Sequence, residues 1–193
     1  MKRQKTRFGR LWTLAIWGAV LFGTTSAGAD SPQGVMKQAI HWGLSGDWLD
    51  PGTNPGVTTS AITLYLFHDA LLKPMPEGNY TPSLAESWTI SPDAKVYEFK
   101  LRKGVKFHNG DAFTAEDVVF SFWRYKAAQA KTIQGKTEKV EALNPHLVRF
   151  QFKEPFPDFL DYLLPGASGI GWIAPKKYIE KVGDGEYKKH PIG

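Results

Sequence analysis

The chain has 193 residues, no cysteine and a formal net charge of +5. Five of its 24 basic residues and none of its 19 acidic ones lie in the first 29 positions, so beyond Ala29 the charge is balanced and no basic stripe remains for a nucleic-acid or anionic-membrane partner. Without cysteine no disulfide staples the fold, yet the 164 residues after Ala29 are enough to bury about 70% of their unfolded surface as one ordinary domain.

Met1 to Arg10 carries Lys2, Arg3, Lys5, Arg7 and Arg10, Leu11 to Phe22 is mostly apolar, and Ala27-Gly28-Ala29 supplies small residues. That three-part pattern predicts a secretory signal peptide over 1–29. The apolar run falls short of the about twenty residues that cross a bilayer. Met36 to Trp42 reads as a first strand, and Gly43 to Gly56, rich in Gly, Pro, Asn and Asp, as loop. Ser60 to Leu72 places Ile62, Leu66 and Ala70, with Leu64, Phe67 and Leu71, at helical intervals, which predicts a helix packed on two sides. His68 within it has no second ligand at helical spacing and is expected to be structural. Lys73 to Thr81 is expected to be a turn segment.

Trp88 and Ile90 alternate with polar neighbours, Ser91-Pro92-Asp93 breaks the pattern, and Tyr97, Phe99 and Leu101 alternate with Glu98, Lys100 and Arg102. The expectation is a hairpin with one wet face. Asn109-Gly110 marks a turn through residues that tolerate positive φ. Thr114 and Asp117 then form a capping box for a helix whose buried stripe is Ala115, Val118, Val119 and Phe122. Ala127 to Gly135 shows no periodicity. Thr137 to Leu143 and Leu147 to Lys153 alternate on either side of Asn144-Pro145-His146, a second hairpin. Phe156 to Leu164 should be a short helix and Ile170 to Ile173 a short strand, and Pro175 should open a last helix to about Val182.

Chemistry is sparse. Gly166-Ala167-Ser168-Gly169-Ile170 lacks the glycine that a nucleophile elbow needs two places after serine. Gly183-Asp184-Gly185 is followed by Lys188 where a dinucleotide fingerprint needs glycine. His41, His68, His108, His146 and His190 form no close pair of the kind zinc sites use. No catalytic residue, metal site or cofactor is expected.

In order along the chain stand Leu84-Ala85-Glu86-Ser87-Trp88, Tyr97-x-Phe99-x-Leu101-Arg102-Lys103-Gly104-Val105-Lys106-Phe107, Asn109-Gly110 and Thr114-Ala115-Glu116-Asp117-Val118. This run resembles the family 5 extracellular solute-binding proteins, the peptide- and nickel-binding branch of the receptors serving ABC importers. Nearly every matching residue is folding grammar, so the run identifies a family without being its site. The resemblance implies a mixed α/β fold of the periplasmic-binding-protein type II-like kind. Residues 30–67 would be the first segment of the large ligand-binding lobe, 68–188 the small second domain, and 189–193 the start of the return. It covers the front part of a family member, and the chain ends at His190-Pro191-Ile192-Gly193, before the Thr-Gly-Pro-Tyr segment the family carries there. The expectation is that these residues by themselves lack the two lobes that closure needs.

By the same resemblance, the segment after Leu49-Asp50-Pro51 borders the ligand. That makes Asn54, Pro55, Gly56, Val57 and Thr58 the candidate contacts, with extended backbone pairing a peptide-like ligand as an added strand would. The implied function is capture of such a solute between lobes for a membrane permease, by a monomer that is not an enzyme. With no cysteine to carry a lipid, the expected place is the periplasm. Peptide, opine, sugar and metal complex stay open as ligands. A non-functional fragment of such a receptor and a secreted hydrolase or envelope domain stay open as other readings.

Overall fold

The computed structural model describes residues 34, 35, 37, 39, 49–53, 63–126, 128–164 and 170–193. The chain divides into residues 1–39 and 40–193. Of the first unit only Gly34, Val35, Lys37 and Ala39 are described, all exposed. The signal-peptide reading over 1–29 lies outside the described residues, as does the strand expected at Met36–Trp42 except for Lys37 and Ala39. Among the described residues no helix is long and apolar enough to cross a membrane.

The second unit first departs from its local pattern at Ser60–Leu72. Where a helix was expected, the described part holds one 3-10 turn, Leu64–Leu66. Ala70 then bridges Trp172, and Leu72–Met75 (β1) pairs antiparallel with Gly78–Pro82 (β2). The backbone is taken by partners far along the chain. Leu84 N–H donates to Ala70 O at 3.0 Å, Ala85 N–H to Leu71 O at 3.1 Å, and Ile173 N–H to Asp69 O at 3.0 Å. A run apolar on all sides is equally readable as helix or buried strand, and here tertiary pairing decided. The segment Lys73–Thr81, expected as a plain turn, is accordingly this hairpin, with Pro74 tolerated because the ribbon has only two strands.

The main sheet consists of Ala85–Ile90 (β3), Val96–Leu101 (β4), Thr137–Asn144 (β5) and Leu147–Phe152 (β6), in the order β3-β4-β6-β5 and antiparallel throughout. Both expected hairpins are present. Register sets Phe99 opposite Trp88 on one side and Val148 on the other. Tyr97, Phe99, Leu101, Val148, Phe150 and Phe152 therefore share one buried face. The other face carries charge, with Arg149 Nη2 2.6 Å from Glu98 Oε1 and Lys100 Nζ 3.2 Å from Glu86 Oε2. At the β3–β4 turn the Ser91 hydroxyl accepts the Val96 N–H at 2.9 Å, and Tyr97 donates its buried hydroxyl to Phe156 O at 2.7 Å.

After β4, Phe107 and Asp111 close the turn through a 2.9 Å bond, and Gly110 alone of the Asn109-Gly110 pair takes positive φ, +88°. Asn109 contributes its side chain instead, Oδ1 accepting the Asp111 N–H at 3.1 Å. Ala115–Arg124 (α1) follows with the expected box. The Thr114 N–H donates to Asp117 Oδ2 at 2.9 Å and the Thr114 hydroxyl to the same oxygen at 3.1 Å. Asp117 Oδ1 also accepts the Lys176 N–H at 3.0 Å, so one buried carboxylate organises two helix starts. Ala115, Val118 and Phe122 are buried as expected, but Val119 is only half-buried, facing a surface groove.

That sets the mutational order on this helix. Thr114→Ala is expected to cost about 1 kcal/mol and Thr114→Ser much less. Val118→Asp should cost several times as much by burying a charge without a partner, while Val119→Asp should cost less than Val118→Asp. Urea midpoints check this; equal shifts for the two valine variants would mean the helix faces are assigned wrongly.

Ala128–Lys136 (α2), unannounced by periodicity, buries Ala130 and Ile133. Its Gln134 donates to Phe122 O at 2.8 Å and Tyr125 O at 3.2 Å, satisfying carbonyls that the end of α1 leaves open. Phe159–Tyr162 (α3) is shorter than expected, and the Ile170–Ile173 strand is reduced to the single bridge at Trp172. Lys176–Val182 (α4) starts just after Pro175, which is its N-cap, and Asp184–Lys189 (α5) follows at once. Helix α1 packs on β5 and β6 and against α4.

Candidate functional site

The described residues nearest the expected ligand segment are Leu49–Thr53, a turn held from three directions. Asp50, with a fully buried carboxylate, meets the guanidinium of Arg124 at the end of α1 in a two-pronged contact: Nη1 to Oδ1 at 2.6 Å and Nη2 to Oδ2 at 2.7 Å. Its Oδ1 also accepts the Gly52 N–H at 2.9 Å. One residue past Tyr125, the Lys126 N–H donates to Gly52 O at 2.8 Å. At the other end of the turn, His68 Nε2 lies 3.1 Å from Leu49 O, which makes Nε2 the protonated nitrogen. Gly52 is required by close approach: a Cβ there would collide with Arg124 Nη1.

Arg124 is itself held. Its Nε and Nη2 donate to Asp184 Oδ1 at 3.1 and 2.8 Å, and its guanidinium carbon lies 5.3 Å from the centre of the Tyr187 ring. Burial works to raise the Asp50 pKa, but the Arg124 hydrogen bonds and charge, with the Gly52 amide, outweigh it and hold the carboxyl below its ordinary value. Burial likewise opposes the charge on Arg124, and Asp50 and Asp184 more than restore it. The pair is therefore ionised on both sides.

Burial pushes His68 down to about 4, against the smaller opposing effects of Leu49 O and Asp50; nearby His108 adds to the depression. A depressed histidine binds its proton more tightly when unfolded. Its contribution is thus fully present above about 6.5 and is lost as pH falls toward about 4. We expect the stability of the wild type to drop by roughly 3 kcal/mol across that window through this residue, and His68→Gln to flatten the slope. Urea midpoints from pH 7 to pH 4.5 test it; an unchanged slope in the variant would contradict it.

The expected contacts Asn54, Pro55, Gly56, Val57 and Thr58 all lie outside the described residues, beginning one position after the tethered turn. Ser168, in the stretch tested as a nucleophile elbow, also lies outside them. His68 is structural in the sense expected, though in a turn-bearing segment and not a helix. Arg124 and Asp184 were not singled out by sequence reasoning. A signal existed: Arg124 ends an apolar helix face, and an arginine buried there requires a carboxylate partner. What could not be read was which carboxylate, since Asp50 is 74 positions away. Among the described residues no group of three or more His, Cys, Asp or Glu side chains is placed to hold a metal ion. An open groove of about 550 Å³ lies along α1 and α4, with Val119, Phe120, Trp123 and Ile179 as its apolar lining.

Comparison with known proteins gives a consistent result. The family described as Bacterial extracellular solute-binding proteins, family 5 Middle, matches residues 79–193. The Di/tripeptide-binding protein 2 of Pseudomonas aeruginosa is 33% identical over 169 residues, 74% of this chain and 32% of that protein. The periplasmic oligopeptide-binding protein OppA of Escherichia coli is 31% identical over 196 residues, 88% of this chain and 35% of its own. Among solved structures, Haemophilus influenzae OppA in complex with the peptide RPPGFSPFR superposes with a TM-score of 0.66 at 30% identity, covering 78% of this chain and 33% of that one. The chain thus spans about a third of the length of these relatives.

Proposed function

Because the chain belongs to the family 5 bacterial extracellular solute-binding proteins, we propose that its protein is the substrate-binding component of an ABC importer that takes up a peptide or peptide-like solute. The observation that carries this reading is the Leu49–Thr53 turn, fixed by Arg124, Lys126 and His68 immediately before Asn54. A segment that presents backbone to a ligand gains from a rigid support, because less ordering is left to be done on binding. Residues 54–58 border the ligand in this reading. Residues 30–67 open the large lobe, 68–188 form the small domain, and 189–193 begin the return. The protein works as a monomer in the periplasm after cleavage of residues 1–29, with ligand favouring the closed arrangement because it touches both sides of the cleft. A membrane permease receives the solute.

Titration calorimetry of the natively expressed protein with alanine di- to pentapeptides tests this. The expected result is saturable binding of one peptide per chain, with preference for one length. Heat with none of the peptides, but with an opine, a sugar or a metal complex, would overturn the peptide assignment and keep the transport class. N-terminal sequencing of the periplasmic fraction is expected to begin at Asp30; an uncleaved, membrane-pelleting product would contradict the proposed location.

A further inference from the structure

We infer that His108 is a positioning residue for lobe closure: it latches the return crossing to the small domain at the point where that crossing touches the outgoing one. This rests on the reading of 68–188 as the small domain and 189–193 as the return, given above. On that reading the chain leaves the large lobe at Phe67 and His68 and heads back at His190 to Gly193, and the structure puts the two passages in contact. A Cβ on Gly193 would collide with Phe67 O and His68 Nδ1, so only glycine lets the two backbones lie this close. The Phe67 obstacle is main chain, which cannot swing aside as a side-chain tip can.

Three residues of the small domain hold the return crossing. Tyr178 on α4 donates its hydroxyl to His190 O at 3.1 Å, and Tyr187 on α5 donates to Ile192 O at 3.1 Å. His108 makes two bonds to Gly193 itself. Its N–H donates to Gly193 O at 2.9 Å, and its Nδ1 accepts the Gly193 N–H at 3.1 Å, so Nδ1 is the unprotonated ring nitrogen. The loop that carries His108 is closed beneath it. Phe107 N–H donates to Asp111 O at 2.9 Å and Phe113 N–H to Val105 O at 3.0 Å, and the buried Phe107 and Phe113 rings lie 6.3 Å apart. The acceptor is therefore in place before Gly193 engages it. Two passages pinned at one point leave the lobes fewer arrangements to search, so less ordering is left for the solute to impose.

The test compares His108→Ala, His108→Asn and Val148→Ala in the natively expressed protein, well below every variant's melting temperature. His108→Ala removes the acceptor, whereas His108→Asn puts an amide oxygen close to the place of Nδ1. Val148→Ala weakens the fold through a cavity in the main sheet and leaves the latch alone. In His108→Ala, amide exchange at positions 108 and 193 is expected to be about tenfold faster, with Phe99 and Val148 unchanged. The N–H at position 108 survives the substitution, so its exchange reports departure of the whole segment. If the joint then holds its closing arrangement a tenth of the time, affinity for alanine di- to pentapeptides falls about tenfold. Small-angle scattering of the peptide-free protein should give a larger radius of gyration for His108→Ala. His108→Asn should restore all three readouts, and Val148→Ala should stay within about twofold of wild type in affinity. Unchanged exchange in His108→Ala would overturn the latch. Faster exchange with unchanged affinity would overturn the positioning role, as would an equal affinity loss in His108→Asn or Val148→Ala. Should the wild type bind no peptide, the failure belongs to the peptide reading, and a radius of gyration unchanged in His108→Ala would then overturn the positioning role by itself.

Discussion

Phe150→Ala is expected to destabilise the protein by about 3–5 kcal/mol, a large share of the about 5–15 kcal/mol that holds a typical domain together. Phe150 sits on β6, 1% exposed, where sheet, α1 and α3 meet. Its ring centre lies 5.6 Å from that of Phe99, 5.4 Å from Phe122 and 5.0 Å from Phe159. Truncation removes the ring from three neighbours on three elements, and a close-packed aromatic cluster cannot collapse to fill the space. Urea unfolding monitored by tryptophan fluorescence measures it. A loss below about 1 kcal/mol would mean that the core re-forms around the gap and that this face is not rigidly packed.

Arg124→Met is expected to cost a similar amount, about 3–5 kcal/mol at pH 7, because it leaves the Asp50 carboxylate buried without its cation. The pH dependence distinguishes this cause from lost packing. In the wild type the Asp50 pKa is depressed, so its contribution is present above the unfolded carboxylate value and is lost as pH falls through the folded one. In the variant burial remains against the Gly52 amide and the Thr53 hydroxyl, and loss of the Arg124 hydrogen bonds and charge raises the folded pKa above its wild-type position. The stability that Asp50 loses as pH falls through the carboxylate range is then smaller in the variant than in the wild type. The gap between variant and wild type should therefore narrow from pH 7 to pH 4. Adding Asp50→Asn to Arg124→Met should recover part of the loss at pH 7 by removing the charge. A gap independent of pH would show that the guanidinium matters for its volume and not its charge.

Legibility followed the range of the interactions. The two hairpins of the main sheet and the start of α1 were readable because alternation, the Ser91-Pro92-Asp93 and Asn144-Pro145-His146 breaks, and the Thr114–Asp117 box are local. The segment from Ser60 to Leu72 was not, because its backbone partners are Leu84, Ala85 and Ile173, and nothing within the window announces them. Helix α2 was missed for a related reason: it buries one thin edge, and its role is to send Gln134 to the carbonyls at the end of α1. The site divides in the same way. The Leu49-Asp50-Pro51 triplet was marked by resemblance, but the group that holds it was not. A buried ion pair between residues 50 and 124 leaves no periodic trace in the sequence.

The direct test of the account is amide exchange of the natively expressed protein with and without the tightest-binding of the alanine di- to pentapeptides. The account predicts that Gly56, Val57 and Thr58 gain protection on binding, as backbone that pairs with an added strand must, while Phe99 and Val148 in the main sheet exchange as before. Peptide bound with no change at Gly56, Val57 and Thr58 would contradict it, and would remove the ligand site from residues 54–58.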